Sequence, residues 1–347
     1  MTGLRTFGQE YKPGLTIMQP ILDKYGRTFK TLRVSLLSTC NLGCVYCVSG
    51  DDAGAIARVT GHAVAKPDAA GGRGHLSVSS LLGMIERLHR QLQLRTIRLT
   101  GGEPLLYGGL VEVIKGIRSM GIPEIKLTTN GSLLKKLAVP MKEAGMVSIN
   151  VSLDAVEEET FFRMSKRRSV QRVIDGIDAA LGAGLDVKIN TVVMKGMNEG
   201  QVLPLLEFAF ARGLRIRFLE VMAMGYLHDR AAAWLFTRDE ILSVVEGYYR
   251  FSPLGRAGSA TASYWQTDKG QVFGVIANES EPFCGDCDRL RLDSKGNIYG
   301  CLSSNHPIAL DSGDDEGEWG EKLQRALLQK QALRFRGSDL SMLDIGG

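Results

Sequence analysis

Cysteine is the residue type in this chain whose spacing most clearly predicts chemistry. All six cysteines fall into two groups of three, each with the short spacings of a metal site. The first group consists of Cys40, Cys44 and Cys47, and the second of Cys284, Cys287 and Cys301. Clustered cysteines in an intracellular protein more often bind metal than form disulfides, and three thiols cannot all pair. We therefore predict that all six are metal ligands, at two centres.

The first group, in the sequence STCNLGCVYC, has the spacing CxxxCxxC and directly follows a predicted strand. A structural zinc site normally takes four protein ligands. A [4Fe–4S] cluster held by only three thiolates leaves one iron open, and that iron can bind a substrate or a cofactor. The spacing therefore predicts a [4Fe–4S] cluster whose fourth partner is a small molecule.

The second group joins a CxxC pair to Cys301 through a hairpin-like stretch, DRLRLDSKGNIYG. His306 would complete a zinc site, and this alternative stays open. The open-iron argument favours a second [4Fe–4S] cluster that touches a ligand. Arg289 and Arg291 alternate along a predicted strand beside it, so they share a face and suit a phosphate clamp. A solvated basic edge strand is the alternative interpretation of these arginines.

The elements that must position these groups alternate between strands and helices. Strand patterns occur at residues 32–37, 96–100, 124–129, 148–153, 186–193 and 215–221, each followed by a helical stretch. This alternation predicts a parallel sheet. Six such units predict an α/β fold, an incomplete (βα)6 relative of the TIM barrel, whose sites gather at the carboxyl ends of the strands. An open doubly wound sheet is the alternative.

The rhythm changes after about residue 250, which predicts two regions. Residues 1–249 are expected to form the partial barrel with the first cluster. Residues 250–347 are expected to form a small α+β region that carries the second cluster and a Gly-Gly tail, and that packs against the barrel. This region starts with a predicted hairpin around residues 268–270. A Gly- and Ala-rich stretch at residues 51–74 is predicted to be a long loop.

Composition excludes several classes of function. The formal net charge of +4 on 347 residues does not indicate a nucleic-acid-binding or membrane-binding surface. The sequence contains no run of about 18 apolar residues, so it predicts no transmembrane helix. Residues 1–12 contain no apolar core of a signal peptide, so a cytoplasmic location is expected.

Two motifs together resemble those of the radical S-adenosylmethionine superfamily. One is CxxxCxxC with Tyr46 before its last cysteine, and the other is GGEP at residues 101–104, after a predicted strand. The resemblance implies that the open iron chelates the amino and carboxylate groups of S-adenosylmethionine. It also implies that an electron from the reduced cluster releases a 5′-deoxyadenosyl radical. Glycines in GGEP would let the backbone approach the methionine moiety closely.

Longer segments are similar to the GTP 3′,8-cyclase (MoaA) family of molybdenum cofactor biosynthesis. These are DKYGRTFKTLRVS, IRLTGGEPLL, LTTNG, INVSLDA, VKINTVVMKGMNE, IRFLEVM, FCGDCDRLRLDSKGNIYGCL and the terminal IGG. The resemblance implies that the radical takes hydrogen from the ribose C3′ of GTP, and that the C3′ radical attacks C8 of guanine. The product would be (8S)-3′,8-cyclo-7,8-dihydroguanosine 5′-triphosphate. The second cluster would bind the guanine edge.

The same resemblance assigns roles to individual positions. Residues expected to face GTP are Arg33, Arg98, Thr128, Lys188, Arg217, Arg289 and Arg291. Residues expected to face S-adenosylmethionine are Tyr46, Gly102, Ser152 and Met222. The tail, Gly346 and Gly347, is expected to orient Arg291 as part of the catalytic machinery.

Charge supports part of this assignment independently of the resemblance. Four of the cations, Arg33, Arg98, Lys188 and Arg217, lie within predicted parallel strands. If they faced inward, they would be costly in an apolar core, and a triphosphate would offset them. The alternatives are cations that face outward beneath the helices, or ion pairs with Glu103 and Glu220.

The resemblance also implies partners: an electron donor such as a flavodoxin or ferredoxin, and a downstream cyclic pyranopterin monophosphate synthase. The chain is expected to act as a monomer or homodimer, without nucleic acid or membrane. The sequence departs from the family at Ser38-Thr39, Val48-Ser49 and Asp288. A related radical enzyme that acts on another nucleotide or on a peptide is therefore one alternative. An iron–sulfur electron carrier or a zinc scaffold is another.

Overall fold

A twelve-stranded sheet organises the part of the chain that the structure, a computed structural model, describes: residues 21–49 and 75–346. In chain order the strands are β1 (Thr31–Ser35), β2 (Thr96–Thr100), β3 (Glu124–Thr129), β4 (Ser148–Ser152), β5 (Asp186–Val193), β6 (Arg215–Glu220), β7 (Phe251–Gly255), β8 (Ser263–Thr267), β9 (Val272–Ile276), β10 (Arg289–Leu292), β11 (Asn297–Tyr299) and β12 (Ile308–Ala309). The loop predicted at residues 51–74 lies outside the described residues.

The α-helices of the described residues are α1 (Val78–Leu92), α2 (Leu110–Ser119), α3 (Leu134–Glu143), α4 (Glu158–Ser165), α5 (Val170–Gly182), α6 (Val202–Ala211), α7 (Arg238–Glu246), α8 (Glu316–Leu328) and α9 (Met342–Ile345). Helices α1 to α6 lie in the connections between successive parallel strands. In the described part of the chain, no helix combines the length and apolar character needed to cross a membrane.

Six parallel strands in consecutive order, β1 to β6, form the centre of the sheet. This order confirms the predicted βα units. A doubly wound sheet reverses its strand order at a switch point, and these six strands show no reversal, so that alternative is wrong. Five of the six predicted strand spans coincide with the observed ones or differ by one residue at one end, and the span of β1 differs at both ends by at most two residues. Helix α4 was not predicted, since its eight residues lie close to the longer helix α5.

Alternation along the parallel strands gives the sheet one apolar face and one polar face. In β1 and β2 the fully buried residues Leu32, Val34, Ile97 and Leu99 belong to the main hydrophobic core. Arg33 and Arg98 occupy the intervening positions and therefore the opposite face. The helices thus cover the apolar face, and polar side chains are presented to the concave interior.

The C-terminal region continues the same sheet at both edges, which the sequence did not predict. Strand β10 pairs in parallel with β1, and β9 pairs in parallel with β6. The predicted hairpin is present as antiparallel β8 and β9, and β7–β8, β10–β11 and β11–β12 are antiparallel pairs as well. The division at residue 249 stays a prediction, and the hydrogen-bonded sheet runs through both regions.

Candidate active site

A cavity of about 330 Å³ lies at the carboxyl ends of the parallel strands, and both cysteine groups line it. All six cysteine residues contribute to its wall, together with residues from each of the strands β1 to β6. Residues 240 or more positions apart in sequence therefore meet in one chamber. This convergence is the arrangement that two clusters acting on one substrate would require.

The first cysteine loop is fixed by backbone hydrogen bonds to two neighbouring elements. Gly43 N donates to Ser165 O at 2.9 Å, and Val45 N donates to Met164 O at 2.9 Å, so the end of α4 supports the loop. Within the loop, Cys47 N donates to Cys44 O at 2.8 Å. Helix α4, which the sequence did not predict, is thus part of the support of the first group.

The GGEP stretch packs directly against this loop. Gly102 N donates to Leu37 O at 2.7 Å, and Glu103 N donates to Thr39 O at 2.9 Å. A Cβ atom on Gly102 would lie 2.2 Å from Thr39 O, and Gly101 has a φ of +152°. The glycines therefore allow close approach of the cysteine loop itself. Their predicted approach to the methionine moiety stays a prediction.

Replacing Gly102 with alanine is expected to displace the first cysteine loop, because the new methyl group meets the backbone rather than a side chain that can rotate. Overpacking typically costs about 1–3 kcal/mol. We expect a lower melting temperature and fewer irons bound per chain after anaerobic reconstitution. Gly182→Ala is the matched control, since a Cβ atom there has no neighbour within 4 Å. Full iron loading and an unchanged melting temperature in Gly102→Ala would contradict this account.

Glu103 is buried and fully engaged by its own neighbourhood. It accepts hydrogen bonds from Thr129 Oγ1 at 2.6 Å, Asn130 N at 2.7 Å and Leu105 N at 3.0 Å. Burial raises the pKa of its carboxyl to about 7, although these bonds favour the charged form. Glu220 likewise accepts from Arg238 N and Glu279 N, each at 2.8 Å. Neither carboxylate pairs with the strand arginines, so the ion-pair alternative is wrong.

The thiols of the first group lie in an environment without compensating positive charge. Burial, together with the negative charge of Glu103, raises the pKa of Cys40 to about 12. Burial, neighbouring thiols and Asp154 raise the pKa values of Cys44 and Cys47 as well. Three such thiols favour the deprotonated state only with a metal group as counter-charge. The donor set therefore fits a cationic cluster core.

The second group differs because cations surround it. Cys287 lies two positions before the first residue of β10, and the Nζ of Lys330 lies 3.4 Å from its Sγ. Burial alone would raise the pKa of Cys287, but Lys330 and Arg289 outweigh it and lower the pKa to about 7. His306 is exposed and does not line the cavity. His306 is therefore not placed to complete a zinc site with these cysteines.

Arginines from the three adjacent strands β10, β1 and β2 lie side by side in the cavity that both cysteine groups line. Arg33 is in register with Arg98 on one side and with Arg291 on the other. Burial and the neighbouring arginines lower the pKa of Arg98 and of Arg291 to about 10, and that of Arg33 well below its usual value. These arginines therefore do not face outward beneath the helices, so that alternative is wrong for them. Their positive charges would be stabilised by an anion bound in the cavity.

Several guanidinium nitrogens of the arginines in β1, β2 and β6 are buried without a hydrogen-bond partner among the described residues. They are Nε of Arg33, Nη1 of Arg98, and Nε and Nη2 of Arg217. Buried donors are normally satisfied, and each orphaned one is costly. Arg289 is different, because its Nη1 donates to Ser259 O at 2.5 Å. Arg291 donates to the carbonyl of Gly346, so the described end of the chain does reach this arginine.

The structure brings most of the predicted site residues together. Those that line the cavity are Cys40, Cys44, Cys47, Cys284, Cys287, Cys301, Tyr46, Gly102, Ser152, Met222, Arg33, Arg98, Thr128, Arg217, Arg289 and Arg291. Lys188 is not part of the lining, and its Nζ donates to Asp186 on the same strand. Gly347 lies outside the described residues.

Other cavity residues were missed by the sequence interpretation. Asn150, Asn190, Asn278 and Lys330 line the cavity, and Asn190 Oδ1 and Asn278 Nδ2 are buried without a partner among the described residues. Asn150 lies in β4 and Asn190 in the adjacent strand β5, each on the side of its strand that faces the cavity. The alternation of side chains along a strand could therefore have identified both residues from the sequence. Tyr46 donates from its hydroxyl to Asp154 Oδ2 at 2.8 Å, which fixes the aromatic ring at the first group.

Comparison with known proteins agrees with this geometry. The Radical SAM superfamily model matches residues 34–209, and the Molybdenum Cofactor Synthesis C model matches residues 214–338. A GTP 3′,8-cyclase of Rhodopirellula baltica is 32% identical over 97% of this chain and 95% of the relative. Another, of Synechocystis sp., is 34% identical over 96% of this chain and 97% of the relative.

Solved structures show the same fold at low identity. Streptococcus suis SuiB bound to S-adenosylmethionine has a TM-score of 0.55 at 13% identity, covering 85% of this chain and 64% of that one. The enzyme anSMEcpe with bound AdoMet has a TM-score of 0.52 at 15% identity, covering 85% of this chain and 82% of that one. Both the predicted family and the predicted partial barrel are confirmed. The chain therefore belongs to the GTP 3′,8-cyclase family of the radical S-adenosylmethionine superfamily.

Proposed function

We propose that this chain converts GTP to (8S)-3′,8-cyclo-7,8-dihydroguanosine 5′-triphosphate in molybdenum cofactor biosynthesis. The observation that carries the proposal is a cavity lined both by two cysteine groups and by buried arginines whose guanidinium nitrogens are partly unpaired. GTP is a substrate with a charged end and an aromatic end, which suits a cavity with cations and a second metal centre. Two relatives that match this chain over almost their whole length are named for this reaction.

At the first group, Cys40, Cys44 and Cys47 would hold a [4Fe–4S] cluster. When bound, the cluster and S-adenosylmethionine supply a 5′-deoxyadenosyl radical that takes the hydrogen from the ribose C3′. Residues proposed to position S-adenosylmethionine are Tyr46, Gly102, Ser152 and Met222. The Tyr46 ring is held in place by its hydrogen bond to Asp154, so the ring is available as a flat contact surface.

The substrate's phosphates would satisfy the orphaned donors of Arg33, Arg98 and Arg217. Guanidinium groups bind phosphate oxygens through strong, charge-assisted hydrogen bonds. Within the described part of the chain, these three arginines form no ion pair with a carboxylate, so binding of the phosphates would not have to break one. Thr128 lies on the same wall. Lys188 stays a candidate, but its ammonium would first have to leave Asp186.

At the second group, Cys284, Cys287 and Cys301 are proposed to hold a second [4Fe–4S] cluster, with Arg289 and Arg291 beside it. The tail is proposed to orient Arg291, because the Gly346 carbonyl accepts a hydrogen bond from that guanidinium. Gly346 has a φ of +81°, and a Cβ atom there would lie 2.9 Å from Ser35 Cβ. Glycine is therefore required for the tail to reach this position, and Gly347 would extend it further.

A peptide-modifying radical enzyme is the alternative with some structural support. SuiB bound to its precursor peptide SuiA shares the fold at a TM-score of 0.56 and 15% identity. That likeness concerns the fold alone, and the buried arginines favour a polyanionic substrate over a peptide. Asp288, the departure beside the second group, accepts a hydrogen bond from Thr31 Oγ1 at 3.0 Å. An iron–sulfur electron carrier or a zinc scaffold would have no use for a pocket that binds S-adenosylmethionine, so the GGEP stretch argues against both.

Nucleotide selectivity tests the proposal. The reconstituted protein is incubated anaerobically with S-adenosylmethionine, a reductant and each nucleoside triphosphate in turn, and the products are read by mass spectrometry. We expect 5′-deoxyadenosine and a cyclised nucleotide with GTP alone. Equal 5′-deoxyadenosine with every triphosphate, and no product isomeric with GTP, would overturn the assignment of the substrate.

The cellular context is proposed from the family resemblance. A flavodoxin or ferredoxin would supply electrons, and a cyclic pyranopterin monophosphate synthase would take the product. A cytoplasmic location, a monomeric or homodimeric state and the lack of a nucleic-acid or membrane partner stay proposals of the same kind.

A further inference from the structure

Lys330 is a buried cation that directly contacts the second cysteine group. It follows α8, and only 3% of its surface is exposed. Its Nζ lies 3.4 Å from Cys287 Sγ, donates to the carbonyl of Arg289 and sits 4.8 Å from the centroid of the Phe29 ring. The ammonium thus reaches a sulfur ligand, the backbone of β10 and an aromatic face at the same time.

The negative charge that faces Lys330 comes from sulfur. Cys287 and Cys301 are its favourable charged neighbours, and the nearby Arg289 is unfavourable. Within the described ranges, Lys330 forms no ion pair with a carboxylate. Burying an ammonium without a counter-charge costs several kcal/mol. The position of Lys330 is therefore favourable only when the second group carries negative charge, as a thiolate-bound cluster does.

The first group has the opposite surroundings. The charged side chains that act on its thiols are Glu103 and Asp154, both carboxylates. A cation near a cluster stabilises the more negative, reduced state, and hydrogen bonds to the sulfurs shift the potential in the same direction. The charged surroundings of the two groups therefore differ in sign, and clusters bound there would be expected to differ in reduction potential.

We propose that Lys330 is a positioning residue that raises the reduction potential of the cluster bound at the second cysteine group. The inference rests on the proposed second cluster and deepens it. Lys330 acts through Cys287 and through the Arg289 carbonyl, the two groups that its ammonium contacts. The guanidinium of Arg289 is hydrogen-bonded to the Ser259 carbonyl, so the ammonium of Lys330 is the cation in hydrogen-bond contact with the Cys287 sulfur.

The test isolates the second cluster. Cys40, Cys44 and Cys47 are replaced by alanine, so that only the second group binds iron, and Lys330→Met is introduced into this background. The potential is measured by a redox titration followed by electron paramagnetic resonance, together with iron content and melting temperature. We expect Lys330→Met to shift the reduction equilibrium at least tenfold toward the oxidised form, which is about 59 mV for one electron.

Matched variants separate charge from folding. Lys330→Arg keeps the charge and is expected to stay within about threefold of the background, that is, about 30 mV. Lys330→Gln keeps a donor without the charge and replaces Lys330→Met if that variant does not fold. Lys322→Met is the control on α8, since Lys322 pairs with Asp314 at 2.6 Å away from the cavity.

The outcomes distinguish this inference from the proposed function. A background protein that binds no iron overturns the second cluster, and the inference with it. An iron-loaded background whose potential is unchanged in Lys330→Met and Lys330→Gln overturns the inference alone. A tenfold shift in the neutral variants, without a shift in Lys322→Met, supports it.

Discussion

Replacing Cys44 with alanine is expected to abolish the formation of 5′-deoxyadenosine, whereas replacing Cys287 is expected to spare part of it and abolish the cyclised product. Cys44 belongs to the group that would hold the cluster for S-adenosylmethionine, and a group of two thiols cannot retain that cluster. Cys287 lies across the cavity, in the group proposed to bind the guanine edge. Both products are quantified by mass spectrometry after anaerobic reconstitution, with iron measured per chain.

Cys301→Ala provides the matched comparison, because Cys301 lies in the same group as Cys287 but on the other side of β11. It is expected to reproduce the Cys287→Ala result. If the two cysteine groups have separate roles, Cys44→Ala and Cys287→Ala should not reduce both products to the same extent. That outcome would remove the proposed separation of roles.

Replacing Arg33 with methionine is expected to weaken GTP binding and, in the opposite direction, to raise the melting temperature without GTP. A hydrogen bond to a charged group contributes about 1.5–3 kcal/mol, so the dissociation constant of GTP should rise roughly 10- to 150-fold. The stability effect has a separate cause, because Arg33 is buried among Arg98, Arg289 and Arg291 with an unsatisfied Nε. Methionine removes that repulsion and desolvation at similar length.

The measurements are calorimetric GTP binding and thermal unfolding of the same preparation. Arg95→Met is the matched control, since Arg95 directly precedes β2 and is exposed. It is expected to leave both quantities near the wild-type values. If Arg33→Met instead lowered the melting temperature and left GTP affinity intact, Arg33 would be a structural residue.

Local patterns were sufficient for the parts of the fold that depend on neighbours in sequence. The period of two in TIRLT and EIKLTT predicted β2 and β3 with the observed bounds, since each strand buries alternate residues beneath helices. Cysteine spacing predicted the two groups for the same reason. Pairing between distant segments left no such signal, and β10 lies more than 250 residues from its neighbour β1.

The site shows the same division. Lys188 was placed in the cavity by resemblance, but Asp186 lies two positions earlier and so shares its face, a pairing that the period of two already implied. The role of Gly102 required the position of Thr39 O, which follows from packing and not from the motif. Lys330 stands in no recognisable pattern, because its significance depends on Cys287, 43 residues away.

The parallel pairing of β10 with β1 has a consequence for how the protein is made. Ribosomes deliver the N-terminus first, so β1 emerges long before its partner and presents unpaired backbone groups on one side until β10 follows. During that interval the first cysteine loop already has the neighbours that hold it, from β2 and the end of α4. The neighbours of the first cysteine loop are therefore complete before the opposite wall of the cavity has been made, which gives the two cysteine groups an order of assembly.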